Sequence, residues 1–250
     1  MTSLRQRREP PAFRLLEVKR TEVVSPYMQR VILGGSALEG FMLDGPAASI
    51  RVLLPTQGEL AIPVWAGNEF LNRDGSRPII RTLTPRRLVA QMQELHVDVV
   101  LHEEGVASSW ARSAQSGSPV AISGPGRAYT IDPDADAFVL VGDESAIPAI
   151  CQLLEYLPTV PITVHIAARH DDAVVDLHRD VAKTWHVTSD RSTADEQLIA
   201  AISRIDLGSH MRFWAAGEAA TMQRIRKYLF AERSFPRSQA VVRGYWKRDR

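Results

Sequence analysis

The sequence predicts a two-part β plus α/β protein, an antiparallel β-barrel followed by a parallel α/β domain. Three observations carry this. Up to about residue 130, short β-rich runs are separated by Gly, Pro, Asn and Asp, the signature of a small antiparallel barrel. Beyond Asp132-Pro133-Asp134, continuous apolar runs alternate with helical stripes, as in parallel strands joined by helical crossovers. The composition, 45% hydrophobic and 24% charged over 250 residues, is that of a chain able to bury a core in one or two domains. The expected boundaries are 13–131 for the barrel and 137–250 for the α/β part, with the acidic stretch near 131–136 as linker.

In the first part, Phe13–Val24, Tyr27–Gly34, Ala48–Leu54, Pro78–Thr84, Leu95–Leu101 and Pro119–Ile122 read as strands. Pro55–Arg77 is a long excursion punctuated by Gly58, Pro63, Gly67, Asn68, Asp74 and Gly75. One Ser-capped helix starts near Ser108 and stops near Gly117. In the second part, strands at Ala137–Val141, Val160–Ala168 and Met211–Ala215 alternate with helices at Ile147–Leu157, Ala194–Ile205 and Ala219–Arg233. The last helix carries the stripe Met222, Ile225, Leu229.

Charge and cysteine content narrow the class. Net charge is +1, so no global field argues for nucleic acid. Locally, Arg77–Arg87 holds four arginines and no acid, and Arg224–Arg250 holds nine Lys/Arg against two acids. Clusters of this size suit a small anionic ligand; a solvated helix face is the plainer reading of the second. The single cysteine, Cys151, sits in an apolar helical pattern and reads as a buried structural thiol. The N-terminal stretch lacks the apolar core of a signal peptide, and no apolar run is long enough to span a bilayer. A cytoplasmic protein is expected. The seven histidines show no ligand spacing with Cys or carboxylates, and neither a GxSxG elbow nor a phosphate-binding GxxxxGK[ST] loop is present.

Six segments could carry chemistry. Arg81-Thr82-Leu83-Thr84-Pro85-Arg86 ends a strand; an arginine there can meet a phosphate and a threonine a ring edge. Strand alternation puts Arg81, Leu83 and Pro85 on one side and Thr82 and Thr84 on the other. About twenty residues on, Asp98-Val99-Val100-Leu101-His102 offers strand backbone. The helix start at Ala107-Ser108-Ser109 offers N–H groups to a pyrophosphate. Surface ion pairing for Arg81 and Arg86, a satisfied strand-end role for His102 and core packing for Trp110 are the structural alternatives.

Gly142-Asp143-Glu144-Ser145-Ala146 and Ala216-Gly217-Glu218 lie at strand carboxyl ends, where open α/β sheets bind ligands. Taken singly, the first reads more simply as a tight βα connection capped by Ser145 with Pro148 in the first turn, and the second as a turn glycine. As a pair they could flank one nucleotide cleft, with Gly217 allowing a flat ring near the backbone. In the tail, Gly244-Tyr245-Trp246-Lys247-Arg248, one ring could cover a planar cofactor while the cations hold an anion. A terminal strand with a solvated basic end is the alternative.

Together these segments resemble the siderophore-interacting proteins, flavin-dependent ferric-siderophore reductases of the ferredoxin-NADP reductase superfamily. The resemblance runs from about Phe13 to Arg248. It rests on Arg81–Arg86, His102–Ala111, Gly124-Pro125-Gly126, Gly142–Ala149, Ala216-Gly217-Glu218 and Gly244-Tyr245-Trp246, in that order. It implies a six-stranded antiparallel barrel for FAD and a parallel α/β domain for NAD(P)H. By the resemblance, Arg81, Thr82, Leu83, Thr84 and the backbone of Asp98, Val99, Val100, Leu101 and His102 contact FAD. Ala107, Ser108 and Ser109 hold its pyrophosphate, and Tyr245 and Trp246 lie near the isoalloxazine ring. Gly142, Asp143, Glu144, Ser145, Ala146 and Gly217 line the nicotinamide nucleotide cleft. Arg51, Lys247 and Arg248 are candidates for receiving an anionic ferric siderophore.

Two positions depart from the family pattern. Leu83 stands where a flavin-stacking tyrosine is common, and Glu103, followed by Glu104, where glycine is common. No catalytic side chain is expected. NAD(P)H delivers hydride, flavin passes electrons on singly, and iron bound by hard oxygen donors loosens on becoming Fe(II). The rival readings are an enzyme of this fold with another acceptor, such as free flavin, and a non-catalytic siderophore- or flavin-binding protein. For the electron donor, Arg169 after the second α/β strand suits the 2′-phosphate of NADPH, whereas Asp171 and Asp172 suit the free ribose of NADH. A monomer is expected, with no metal site and no nucleic-acid or membrane partner.

Overall fold

The computed structural model describes residues 10–56, 58–103 and 105–248 and divides into two compact units, one formed by the chain to Val24 together with Met28–Tyr129, the other by Ser25–Tyr27 and Thr130 onward. Glu104 lies outside the described residues.

The first unit is one antiparallel sheet of seven strands. They are β1 (Arg14–Ser25), β2 (Met28–Gly34), β3 (Ile50–Leu53), β6 (Ile80–Leu83), β7 (Pro85–Val89), β8 (Glu94–Val100) and β9 (Pro119–Ser123). A separate two-residue ladder, β4 (Val64–Trp65) with β5 (Phe70–Leu71), lies in the long excursion. The sheet order is β6-β3-β9-β1-β2-β8-β7. Six strands were expected; the seventh arises because the run from Ile80 to Val89 is divided at Thr84. Its first piece bonds to β3 and its second to β8, so one continuous stretch of backbone joins the two edges of the sheet and neither is left as a long unpaired template. The sequence hides β7 because Pro85-Arg86-Arg87-Leu88-Val89 lacks strand alternation.

Val18, Val31, Leu33, Ile50, Val52, Leu95, Val97, Val99 and Ile122 fill the interior from five strands. Helix α1 (Val106–Ser113) adds Trp110 and Ala111 to this core, so Trp110 packs as a core residue. On the other face of the β2–β8 pair, Arg30 sits opposite Asp98 and donates from Nε and Nη2 to its two carboxylate oxygens, at 2.6 and 2.9 Å. This fork geometry locks the register of the pair.

The second unit is a parallel sheet of five strands in the order β12-β11-β10-β13-β14. These are β10 (Ala137–Asp143), β11 (Ile162–Ala168), β12 (Ala182–Val187), β13 (Met211–Glu218) and β14 (Ala240–Trp246). β10 to β12 build outward on one side and β13 to β14 on the other, so the order reverses between β10 and β13. Helix α2 (Ile147–Tyr156) is buried over its first eight residues, Cys151 among them. Helices α3 (Arg191–Ser203) and α4 (Ala219–Lys227) cover the face that includes Val139, Val141, Phe213 and Ala215. α4 continues into a π-type turn, Tyr228–Glu232, which accounts for the longer helix expected there. β12 and β14 exceed the three expected strands. Both are sheet edges of mixed polarity, a pattern a search for continuous apolar runs passes over.

The acidic stretch expected as linker is tied to the second unit. Asp132 accepts from the Asp134 N–H at 3.0 Å and pairs with the Arg212 guanidinium of β13. Those bonds hold its carboxyl below the ordinary range, the Asp134 N–H most of all. The C-terminal carbonyls of α2 and its exit loop are capped by one side chain: Arg179 donates to Leu154 O, Leu157 O and Pro158 O at 2.6–2.9 Å.

One pair inside this unit is held below the ordinary histidine range. His165 and His186 lie on adjacent strands with Nδ1 and Nε2 3.2 Å apart. Burial lowers both pKa values, and for His165 the charge of His186 lowers it further. The unfolded chain therefore binds protons that the folded chain refuses as pH falls below about 6.5. Stability from this pair is complete above that pH and declines below it, by up to about 1.4 kcal/mol per pH unit for each proton. Urea midpoints between pH 5 and 7.5 are expected to fall with acidification, with a shallower slope in a His165→Gln/His186→Gln double variant; equal slopes would refute the assignment.

Candidate functional site

In the first unit the candidate site is the end of β6, the end of β8 and the start of α1. Thr82 is paired with Arg51 and Arg81 with Val52, while Leu83 faces Ile50. Arg81 and Thr82 are exposed, and Leu83 packs against the barrel core. The position where a ring-stacking tyrosine is common thus holds an aliphatic side chain turned to the interior. Alternation ends at Thr84, which is buried together with Pro85 where the run changes partner strand. Arg51 lies opposite Thr82 on one side and Ser123 on the other, and Arg81 donates to the carbonyl of Ile80 at 3.0 Å.

Helix α1 is entered through Gly105, whose φ of 155° is a region side-chain-bearing residues rarely adopt. The Ser cap expected here is absent: the cap position is Gly105, and among the described residues no side chain caps this terminus. Ser108 instead turns inward, 2% exposed. Its hydroxyl accepts from the His102 N–H at 2.9 Å and donates to Val100 O at 3.2 Å, stitching the end of β8 to the helix. Arg112 Nη1 reaches back to His102 O at 2.8 Å. Ala107 is half-buried, and Ser109 and Glu103 are exposed. The start of this helix offers main-chain N–H groups of the kind that can hold an anion. By contrast, side chains cap the short turn before α2 and the starts of α3 and α4.

In the second unit, the reversal point between β10 and β13 is built around Asp143. Its Oδ1 accepts from the N–H and hydroxyl of Ser145, and its Oδ2 from the Glu218 N–H at 2.9 Å and the Trp246 Nε1–H at 2.8 Å. The cap before α2 is therefore Asp143 and not Ser145, although Pro148 does sit in the first helical turn. Gly217 is glycine for this reason: a Cβ there would stand 2.7 Å from Asp143 Oδ2, and its φ is 157°. Gly142 is still more confined, since a Cβ would meet Ala146 Cβ at 2.4 Å and Ala216 O at 2.9 Å.

Glu218 repeats the device at α4, accepting from the Ala220 and Thr221 N–H groups at 2.7 and 3.0 Å. Burial pushes its carboxyl up, and the N–H groups of Thr221, Arg248 and Ala220 more than reverse this. The tail crosses these strand ends. Arg248 N donates to Glu218 Oε1 at 3.3 Å, and its guanidinium pairs with Asp195 at 3.1 Å. Burial raises the Asp195 carboxyl. Tyr245 meets the buried Trp214 ring edge-on at 6.3 Å, and Lys247 is exposed. The tail is thus a fifth strand whose last residues are fastened to the sheet's carboxyl edge. Nothing local in the sequence announced that Asp143 would reach Trp246, 103 positions away.

Comparison with known proteins accords with this architecture. A family model for the siderophore-interacting FAD-binding domain matches residues 17–129, and one for siderophore-interacting protein matches 135–249. The chain is 31% identical to the ferric vibriobactin reductase ViuB of Vibrio cholerae, over 95% of this chain and 90% of that one. It is 30% identical to an NADPH-dependent ferric-chelate reductase of Escherichia coli, over 94% and 92%. A crystal structure of a siderophore utilization protein from T. fusca superposes with a TM-score of 0.84 at 31% identity, covering 97% of this chain and 95% of that one.

Proposed function

Because the chain belongs to the siderophore-interacting protein family and carries its FAD-binding domain, we propose that it is an FAD-dependent reductase that uses NAD(P)H to reduce ferric siderophores and release iron. The observation that carries the reading is the start of α1, entered through Gly105 with no side-chain cap among the described residues. A helix start of this kind turns main-chain N–H groups and the positive end of the helix dipole outward, which suits a flavin dinucleotide's pyrophosphate. When bound, the flavin supplies the conversion of a two-electron hydride donor into single-electron delivery.

The side chains bind and orient. Val106, Ala107 and Ser108 offer main-chain N–H groups, and the buried Ser108 hydroxyl fixes the angle between β8 and α1. The backbone of Asp98–His102 is assigned to the flavin edge, with the Asp98 carboxylate withheld by its bond to Arg30. In the second unit the ends of β10 and β13, with Gly142–Ala146 and Gly217, are assigned to the nicotinamide nucleotide. Arg51 and Lys247, and Arg248 in exchange with Asp195, are assigned to the anionic siderophore. No side chain is required to act as acid, base or nucleophile. Fe(III) bound by hard oxygen donors is released once it becomes Fe(II), which those donors hold less well. A place in the cytoplasm follows from this role, since the donor and the released iron are used there.

The test is anaerobic. The FAD-loaded protein is mixed with NADPH or NADH and then with a ferric siderophore and a ferrous trap. Bleaching of the flavin followed by reoxidation matched by trapped Fe(II) is expected. Bleaching without Fe(II) would move the reading to a reductase with another acceptor. FAD retention without bleaching by either donor would leave a binding protein.

A further inference from the structure

We propose that Asp195 of α3 is a tethered competitor for Arg248 that decides which anions this arginine receives. It yields the guanidinium to a multiply charged ferric complex and withholds it from singly charged anions. This rests on the assignment of Arg248 to the anionic siderophore and adds to it the residue that sets the charge the ligand must carry.

The pair is uneven. Arg248 Nη2 lies 3.1 Å from Asp195 Oδ2. The Asp195 side chain is 18% exposed and that of Arg248 45%, so the cation has a face to solvent while the carboxylate is set back against the protein. An ion pair open to water on one side is weakly held. The planar fork of an arginine also carries N–H groups besides those on Nη2. An anion can therefore approach the guanidinium from solvent before Asp195 has let go.

The pair is not what fastens the tail. Trp246 Nε1 donates to Asp143 at 2.8 Å, and the Arg248 main-chain N–H donates to Glu218 at 3.3 Å. These bonds fix where the Arg248 side chain starts, whether or not its guanidinium is paired. Asp195 is also held without it, by a side-chain hydrogen bond with Thr221 and by its place on α3 between the buried Ala194 and Leu198. What the contact adds is occupancy of the cation.

Local charge sets the terms of the exchange. Burial raises the Asp195 carboxyl, and the charge of Asp143 adds to this, while Thr221 and Arg248 oppose it. The other cation close to Asp195 is Arg224, which is bonded to Glu196 at 2.9 Å. Asp195 therefore draws on Arg248 as its principal counter-charge. A singly charged anion offers the guanidinium no more than Asp195 does and lacks its tether, so it loses the competition. A ferric complex bearing several negative charges on hard oxygen donors offers more than one carboxylate can.

The test is calorimetric titration of the FAD-loaded chain with two probes, the trianionic ferric complex of a hexadentate tricatechol and the neutral ferric complex of a hexadentate trihydroxamate. Benzoate serves as the singly charged competitor. Asp195→Asn keeps the shape of the side chain and an oxygen for Thr221. It is expected to bind the trianionic complex at least about threefold more tightly than the wild type, with the neutral complex unchanged. It should also become sensitive to benzoate at concentrations that leave the wild type unaffected. Arg248→Gln is expected to weaken the trianionic complex, and Asp195→Asn/Arg248→Gln to bind it no better than Arg248→Gln. Equal or weaker binding by Asp195→Asn is the mark of a merely structural pair and overturns the proposal. A gain that persists in the Arg248→Gln background is a general field effect and overturns it as well. The two readings separate at Arg248: if Arg248→Gln weakens binding but Asp195→Asn brings no gain, the siderophore assignment stands and Asp195 loses its role. If Arg248→Gln binds the trianionic complex as the wild type does, both fall.

Discussion

Asp143→Ala is expected to destabilise the second unit by about 2–4 kcal/mol, the largest effect of any single polar substitution in it. One carboxylate serves four donors: the N–H and hydroxyl of Ser145, the N–H of Glu218 and the indole N–H of Trp246. Alanine leaves these donors without their acceptor at the junction of three strands. It also removes the group that Gly217 is shaped to admit. Urea unfolding gives the magnitude, and amide exchange at Ser145 and Glu218 locates it. Trp246→Phe should show only the loss of one bond, about 1 kcal/mol, with the Ser145 amide still protected. If Asp143→Ala unfolds at the wild-type urea concentration, Asp143 is not the hub described.

Ser109→Glu is expected to weaken FAD binding at least tenfold, about 1.4 kcal/mol, without weakening the apoprotein. Ser109 is exposed in the first turn of α1, and its own N–H is already bonded to Gly105 O at 2.9 Å. A carboxylate there favours the helix dipole by a few tenths of a kcal/mol up to about 1, so thermal stability without flavin should hold or rise. The same charge repels a pyrophosphate at the helix start. Flavin fluorescence titrations with FAD and riboflavin separate the causes, since riboflavin has no pyrophosphate. Its weaker binding should be unchanged. An equal loss for both flavins would place the effect on the barrel rather than on the helix start, and an unchanged FAD affinity would remove the pyrophosphate from α1.

How far the sequence could be read depended on whether the signal was local. The six barrel runs and the three central α/β elements were legible because apolar alternation, continuous apolar runs and turn residues are properties of neighbours along the chain. β7 and β12 were not: Pro85–Val89 and Ala182–Val187 carry charged or polar residues and owe their strand conformation to a partner edge that only the fold supplies. The helix starts show the same division. Ser108 and Ser145 have the chemistry of caps, yet tertiary position made Ser108 a buried stitch between β8 and α1 and gave the capping at α2 to Asp143.

The sequence by itself determined the two-part architecture, the family and the segments at which a flavin and a nicotinamide nucleotide are to be sought, because each is encoded in runs of a few residues. Tertiary structure alone decided which groups within those segments are available. Asp98 is withheld by Arg30, Ser108 by the backbone at the end of β8, and Trp246 by Asp143. Hydrogen-bond partners separated by 68 or 103 positions meet only when strands from distant parts of the chain are brought side by side, and the pairing of a polar group, not its type, sets what it can still bind.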